Sequence, residues 1–237
     1  MSSSIMLIAG GTMRGSEQFL REALKRTGAA QPTLLYIGAA SGESRPFGMM
    51  MIATAKLAGA HRVEWPKLVG KKKDPEGMRK LLREVDAVFV GGGDVEAGME
   101  CLKAEGIDEA IREAHARGAV FAASSAGSIM LGERWIRWPH ADAGDEHAET
   151  FPCLGIVPFS LDTHAEGDDW VETKAFVEVR ARETGKAQTA YGIPSGGALL
   201  VAGKSAPHAL GVPAMHFEAQ PQGRARELAT LKVAAHD

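Results

Sequence analysis

Residues Ala119–Leu131 read AVFAASSAGSIML. An apolar run, Ala119 to Ala123, stops at Ser124-Ser125-Ala126-Gly127, and apolar residues then resume. The run has the length of a buried strand, and Ala126 to Leu131 opens a helix. Small residues at such a junction have two readings. A serine on a sharp strand-to-helix turn holds its hydroxyl above the sheet, with the next backbone N–H placed to donate to an oxyanion. The other reading is close helix–strand packing and nothing more. The G-x-S-x-G spacing is kept in part: around Ser125, Gly127 fits and Ala123 stands where the first glycine would be.

Outward from this junction, strand and helix patterns alternate. Apolar runs at Ile5–Ala9, Thr33–Ile37, His61–Trp65 and Asp86–Val90 read as strands. Between them lie helical stripes: Phe19, Leu20, Ala23 and Leu24 behind a Ser16 cap; a Met- and Ala-rich stretch from Phe47 to Leu57; and Met78, Leu81, Leu82 and Val85. Asp74-Pro75 supplies a cap and a first-turn proline for the third of these. Two further helical segments precede Gly118, the second carrying Ile107, Ala110, Ile111 and Ala114. Such alternation implies a parallel sheet with helices on both faces, and ligands bind beyond the carboxyl ends of its strands. Gly10-Gly11, Gly91-Gly92-Gly93-Asp94 and the double serine should therefore share one rim. Past Gly132 the pattern turns irregular to about Pro152, and Ala198–Ala202 and His208–Val212 read as antiparallel additions. No linker or repeat interrupts the chain, so a single domain over residues 1–237 is expected.

Composition narrows the partners. The chain of 237 residues carries a formal net charge of -3, without the basic excess of a nucleic-acid binder. Lys71-Lys72-Lys73 sits beside Asp74 and reads as a solvated loop. Cys101 and Cys153 lack metal-ligand spacing, and Cys101 lies on an apolar helical face. No apolar stretch is long enough to span a bilayer and no basic leader precedes the first strand, so a cytoplasmic location is expected.

A serine nucleophile needs a base. His61, His115, His208 and His236 have strand, helix-surface or terminal contexts; His216 follows a strand-like run, and His140 and His147 lie in an acidic loop. His164, in PFSLDTHAEGDD, stands among carboxylates close after a strand-like run. At the other turn, Gly91-Gly92-Gly93 lets a backbone N–H approach a developing oxyanion. Neither G-x-G-x-x-G nor G-x-x-x-x-G-K-[ST] is present to favour a phosphate.

Taken in order, LLYIGAAS, DAVFVGGGD, HARGAVFAASSAGS, CLGIVPFSLDTH and YGIPSGGALLV resemble the peptidase E and cyanophycinase family of serine peptidases, over about residues 5 to 203. The resemblance implies a flavodoxin-like three-layer α/β sandwich, like that of class I glutamine amidotransferases, with a mainly parallel sheet. It implies hydrolysis of small peptides, with no metal or organic cofactor. Ser125 matches the nucleophile and His164 the base, and the N–H groups of Ala126 and of Gly92 or Gly93 match the oxyanion hole. Two departures stand out. Where the family carries an acidic third member, this chain has Ser195, which brings no charge. Asp162, two residues from His164, would share its face on a strand and is the first substitute; Asp168, Asp169 and Glu172 are others. The segment Ala165-Glu166-Gly167-Asp168-Asp169 is also acidic, which favours a basic over an acidic substrate. Asp94, Arg134 and Arg137 are candidate substrate contacts.

The expected activity is that of a serine peptidase or amidase acting on a dipeptide or isopeptide-like substrate through an acyl-enzyme on Ser125. The alternatives are a catalytically weak relative that binds a small ligand and, third, a glutamine-amidotransferase-like enzyme, although no cysteine occupies the turn. A small peptide partner is expected, with no nucleic acid and no membrane, and a homodimer is left open.

Overall fold

The computed structural model describes residues 4–10, 13–140, 142–203 and 205–233, leaving aside the side chains of 13–15. Gly11 and His236 lie outside the described residues. Five parallel strands form the heart of the sheet: β1 (Ser4–Ile8), β2 (Thr33–Ile37), β3 (Arg62–Glu64), β4 (Ala87–Val90) and β5 (Val120–Ser124). Two antiparallel strands, β10 (Ala198–Ala202) and β11 (His208–Leu210), extend one edge, giving the order β11-β10-β1-β5-β4-β2-β3.

Alternation along the strands divides the core into two layers. Met6, Ile8, Leu34, Tyr36, Phe89, Val120 and Ala122 face α1 (Met13–Lys25) and α2 (Arg45–Leu57), meeting Phe19, Leu20, Met51 and Ala55. Ile5, Leu7, Leu35, Ile37, Val88, Val90, Phe121 and Ala123 face the other way, toward α3 (Pro75–Leu82), α4 (Val95–Ala104) and α5 (Ile107–Ala116). Each fully buried large side chain in these layers, such as Phe121 or Leu7, contributes about 1.5–3 kcal/mol by leaving water. Asp74 caps α3, its Oδ1 accepting from the Gly77 N–H at 2.9 Å.

Three expectations need correction. α1 begins at Met13, so Ser16 is a buried residue inside the helix and not its cap. The stretch after Gly132 contains a hairpin of β6 (Arg134–Arg137) and β7 (Glu149–Pro152), anchored by Trp135 stacked on Phe176 at 5.5 Å. A second sheet, β8 (Ser160–Thr163), β9 (Gln188–Ile193), β12 (Met215–Ala219) and β13 (Arg226–Glu227), then covers α7 (Val171–Thr184) and the short α6 (Ala126–Leu131). These strands are brief, and their burial depends on contacts made far along the chain, so local periodicity does not mark them.

Candidate active site

β5 ends at Ser124, and the chain turns into α6 through Ser125 at φ 55° and ψ -130°. A non-glycine residue in this region is held at a cost of about 1–3 kcal/mol. The surroundings impose it. The Ser125 N–H donates to the Ile8 carbonyl at the end of β1 (3.0 Å), and the Ser128 N–H donates back to the Ser125 carbonyl (2.7 Å). Ser128 Oγ, fully buried, also reaches the Ile8 carbonyl at 2.9 Å. Gly127 allows α6 to press on β4: a Cβ there would lie 2.2 Å from the Val90 carbonyl oxygen. Close packing and presentation of the serine are therefore one feature, because Gly127 permits the turn that lifts Ser125 off the sheet.

The turn after β4 runs against the serine. A Cβ on Gly92 would lie 3.0 Å from Ser125 Cβ, and one on Gly93, at φ 143°, only 2.0 Å from the Ala40 carbonyl oxygen. Among the described residues, the backbone N–H groups of Gly92, Gly93 and Ala126 donate to no protein acceptor. Gly92 is buried. Buried donors are seldom left without a partner. The Gly92 N–H, beside Ser125, is therefore available to a ligand oxygen.

His164 leaves β8 at φ 46°. Its Nε2 is hydrogen-bonded to Ser125 Oγ at 2.7 Å, within the reach of a nucleophile–base pair. Its loop is pinned at both ends. The His164 N–H donates to the Ile193 carbonyl (2.9 Å), and the Trp170 N–H to the Ala165 carbonyl (3.0 Å). The Trp170 ring is buried against Gly192 and Phe217.

The expected partners of this pair divide. Asp162 is buried, but its oxygens accept from the Thr163 N–H (2.7 Å) and the Thr173 hydroxyl (2.6 Å), and neither is hydrogen-bonded to the histidine. Asp162 and His164 do not alternate as strand neighbours, because β8 ends at Thr163 and the backbone at His164 is left-handed. Burial pushes the Asp162 carboxyl up; the hydrogen bonds from Thr173 and Thr163 offset this in part. Ser195 is exposed in the turn after β9, and its N–H donates to Glu166 Oε1 at 3.0 Å. Asp169 pairs with Lys174. Asp168 and Glu172 line the site, and burial together with Asp162 and Asp168 holds the Glu172 carboxyl above the usual range.

The candidate substrate contacts are already engaged. Asp94 caps α4, accepting from the Ala97 N–H at 2.8 Å. Arg134 donates to the Thr150 hydroxyl (2.9 Å) and carbonyl (2.6 Å). Arg137 is held between Glu96 (2.8 Å) and Glu149 (2.7 Å), so its charge is locally balanced. The sequence offered no sign of the partners of the two arginines, since each lies more than ten positions away in another element or across the hairpin.

Two cavities meet at Ser125 and His164. One, of about 370 Å³, is walled by Phe47, Met50, Met51 and Thr54 of α2 and by Gly92 and Gly93. The other, of about 250 Å³, is lined by Val95, Ile129 and Trp135 and by the carboxylates Asp162, Asp168 and Glu172. The α2 wall was not legible in the sequence as a pocket; of the acidic residues expected around His164, Asp168 and Glu172 do line the second cavity. Among the described residues no group of His, Cys, Asp or Glu is arranged to hold a metal ion, and no helix is long and apolar enough to cross a membrane.

A strand-end serine hydrogen-bonded to a histidine, beside unengaged backbone donors, has the arrangement of a covalent hydrolase site. The chain matches Peptidase family S51 over residues 5–208 and belongs to that family of peptidases. Its fold is that of two solved structures, each at low identity. A peptidase from an acI-B1 Actinobacterium shares 16% identity and a TM-score of 0.74, with 98% of this chain and 97% of that one covered. A putative peptidase E protein from Listeria monocytogenes EGD-e shares 17% identity and a TM-score of 0.65, with 97% and 100% covered. No curated protein matches the chain.

Proposed function

We propose that this peptidase is a serine hydrolase of small peptides that works through an acyl-enzyme on Ser125. The observation that carries the reading is the 2.7 Å hydrogen bond between Ser125 Oγ and His164 Nε2 on the strained turn. In the proposed reaction Oγ attacks the substrate carbonyl carbon while its proton passes to Nε2. The N–H groups of Ala126 and of Gly92 or Gly93 stabilise the oxyanion, each such donor being worth about 10²–10³ in rate. The imidazolium then gives its proton to the leaving amine as the C–N bond breaks. Water, activated by the same nitrogen, releases the acid and restores the serine.

The two cavities suggest the substrate. Among the described residues the α2 cavity presents no carboxylate or ammonium, which suits an apolar side chain. The cavity bearing Asp168 and Glu172 suits a cationic group, an amino terminus or a basic side chain. A dipeptide or isopeptide with one group of each kind would span both, and no nucleic acid, membrane or cofactor enters this scheme.

A second reading, a weakly active relative that binds a small ligand, is favoured by one observation: among the described residues no carboxylate is hydrogen-bonded to His164. Hydrolysis of a dipeptide panel with acidic, basic and neutral N-terminal residues, by wild type and Ser125→Ala, tests both. Turnover of basic or apolar members, lost by at least about 10³-fold in the variant, is the expected result. Equal turnover by the two proteins would refute the acyl-enzyme.

A further inference from the structure

Two hydrogen bonds tie the histidine loop to the end of β9 and the turn after it. The His164 N–H donates to the Ile193 carbonyl (2.9 Å), and two residues further along each segment the Ser195 N–H donates to Glu166 Oε1 (3.0 Å). Glu166 is thus held against the same Ile193–Ser195 segment that fixes the His164 backbone. The other carboxylates near the ring are disposed differently. Asp162 has both oxygens engaged, by the Thr163 N–H and the Thr173 hydroxyl. Asp168 and Glu172 line the cavity that Ser125 and His164 also line. Of these four carboxylates, Glu166 is the one hydrogen-bonded to the segment that carries Ser195.

We propose that Glu166 is the positioning residue of His164: it supplies, from the histidine's own loop, the negative charge that Ser195 lacks, and Ser195 holds it in place. The proposal rests on the reading of Ser125 and His164 as nucleophile and base. Its physical content is ordinary. A base that becomes an imidazolium in the transition state is stabilised by a fixed neighbouring anion, and its ring is oriented by that anion. Desolvation pushes the Glu166 carboxyl up, but the hydrogen bonds from Ser195 and the nearby His164 outweigh it and hold the group below the usual carboxylate range. It is therefore ionised at neutral pH. Because Glu166 is exposed, its effect should be smaller than that of a buried triad acid, whose loss costs about 10⁴.

The test follows the rate at which a small fluorophosphonate modifies Ser125 between about pH 5 and 9, so that no substrate need be known. The proteins are wild type, Ser125→Ala, Glu166→Gln, and Glu166→Gln with Ser195→Glu. Glu166→Gln should react about 10–100-fold more slowly, with the acid limb of its pH profile displaced to lower pH. The second substitution should return the limb toward its wild-type position. The groups facing the ring otherwise, Asp162, Asp168 and Glu172, are unchanged in all four proteins. A Glu166→Gln protein with the wild-type rate and profile would overturn the proposal. So would a slower rate with an unmoved limb, which marks a residue that only holds the loop. Equal labelling of wild type and Ser125→Ala, or none of either, would instead remove the nucleophile assignment and this proposal with it.

Discussion

Replacing Gly92 by alanine separates the chemistry of this site from its fold. No left-handed backbone is required at Gly92, so the cost of the added methyl is set by the atoms it meets and not by φ. It would lie 3.0 Å from Ser125 Cβ, 3.1 Å from the Ser124 carbonyl oxygen and 3.5 Å from Ser125 Oγ. Ordinary contact begins near 3.4 Å, so the serine and the glycine turn must part by a few tenths of an ångström. A misplacement of 1 Å costs about 10² in rate, so a shift of this size, with a methyl crowding the space for the oxyanion, should cost about 10–100-fold, or about 1.4–2.7 kcal/mol of activation free energy. The fold should bear it. Overpacking of about 1 kcal/mol lowers Tm by about 2–4 °C in a chain of this size. Fluorophosphonate labelling and peptide hydrolysis, read beside a thermal melt, give both quantities. A Gly92→Ala protein that melts normally and reacts at the wild-type rate would refute the placement of the reacting carbonyl between Gly92 and Ser125.

Two further outcomes depend on the charges. Burial raises the Asp162 carboxyl, so the folded chain keeps a proton that the unfolded chain loses above about pH 4; stability from this group is full below that pH and declines as pH rises toward the raised folded value. The unfolding free energy of wild type minus that of Asp162→Asn should therefore fall as pH rises from about 4 to 7, as read by urea titration, and a flat difference would contradict it. Arg137 is balanced by Glu96 and Glu149 on a partly exposed surface, so Arg137→Ala should change stability by less than about 1 kcal/mol and leave kcat/KM within about threefold; a large rise in KM would show that the guanidinium binds substrate after all.

Much of the architecture is decided within short windows of sequence. DAVFV and AVFAA are apolar on both faces because they run between two helical layers, and each of the turns after them needs small residues where backbone meets backbone. That makes the parallel sheet and the rim bearing Gly92, Gly93 and Ser125 legible from the chain alone. The pairing of Ser125 with His164 joins residues 39 positions apart; the order of motifs suggests it, but the distance comes only from β8 packing beside α6. The acid is where local reading fails. Alternation pointed to Asp162, and it would hold if the strand continued; His164 instead turns into a left-handed backbone fixed by Ile193 and by the burial of Trp170. The arginines past the nucleophile helix were candidate substrate contacts, yet the β6–β7 hairpin folds Thr150 and Glu149 onto them. Local sequence thus determined the parallel strands, their helices and the turns of the rim, because backbone sterics and side-chain periodicity act over a few residues. Which charges are engaged and which face the histidine was decided by tertiary structure, because electrostatic partners are set by proximity in space and not by separation along the chain.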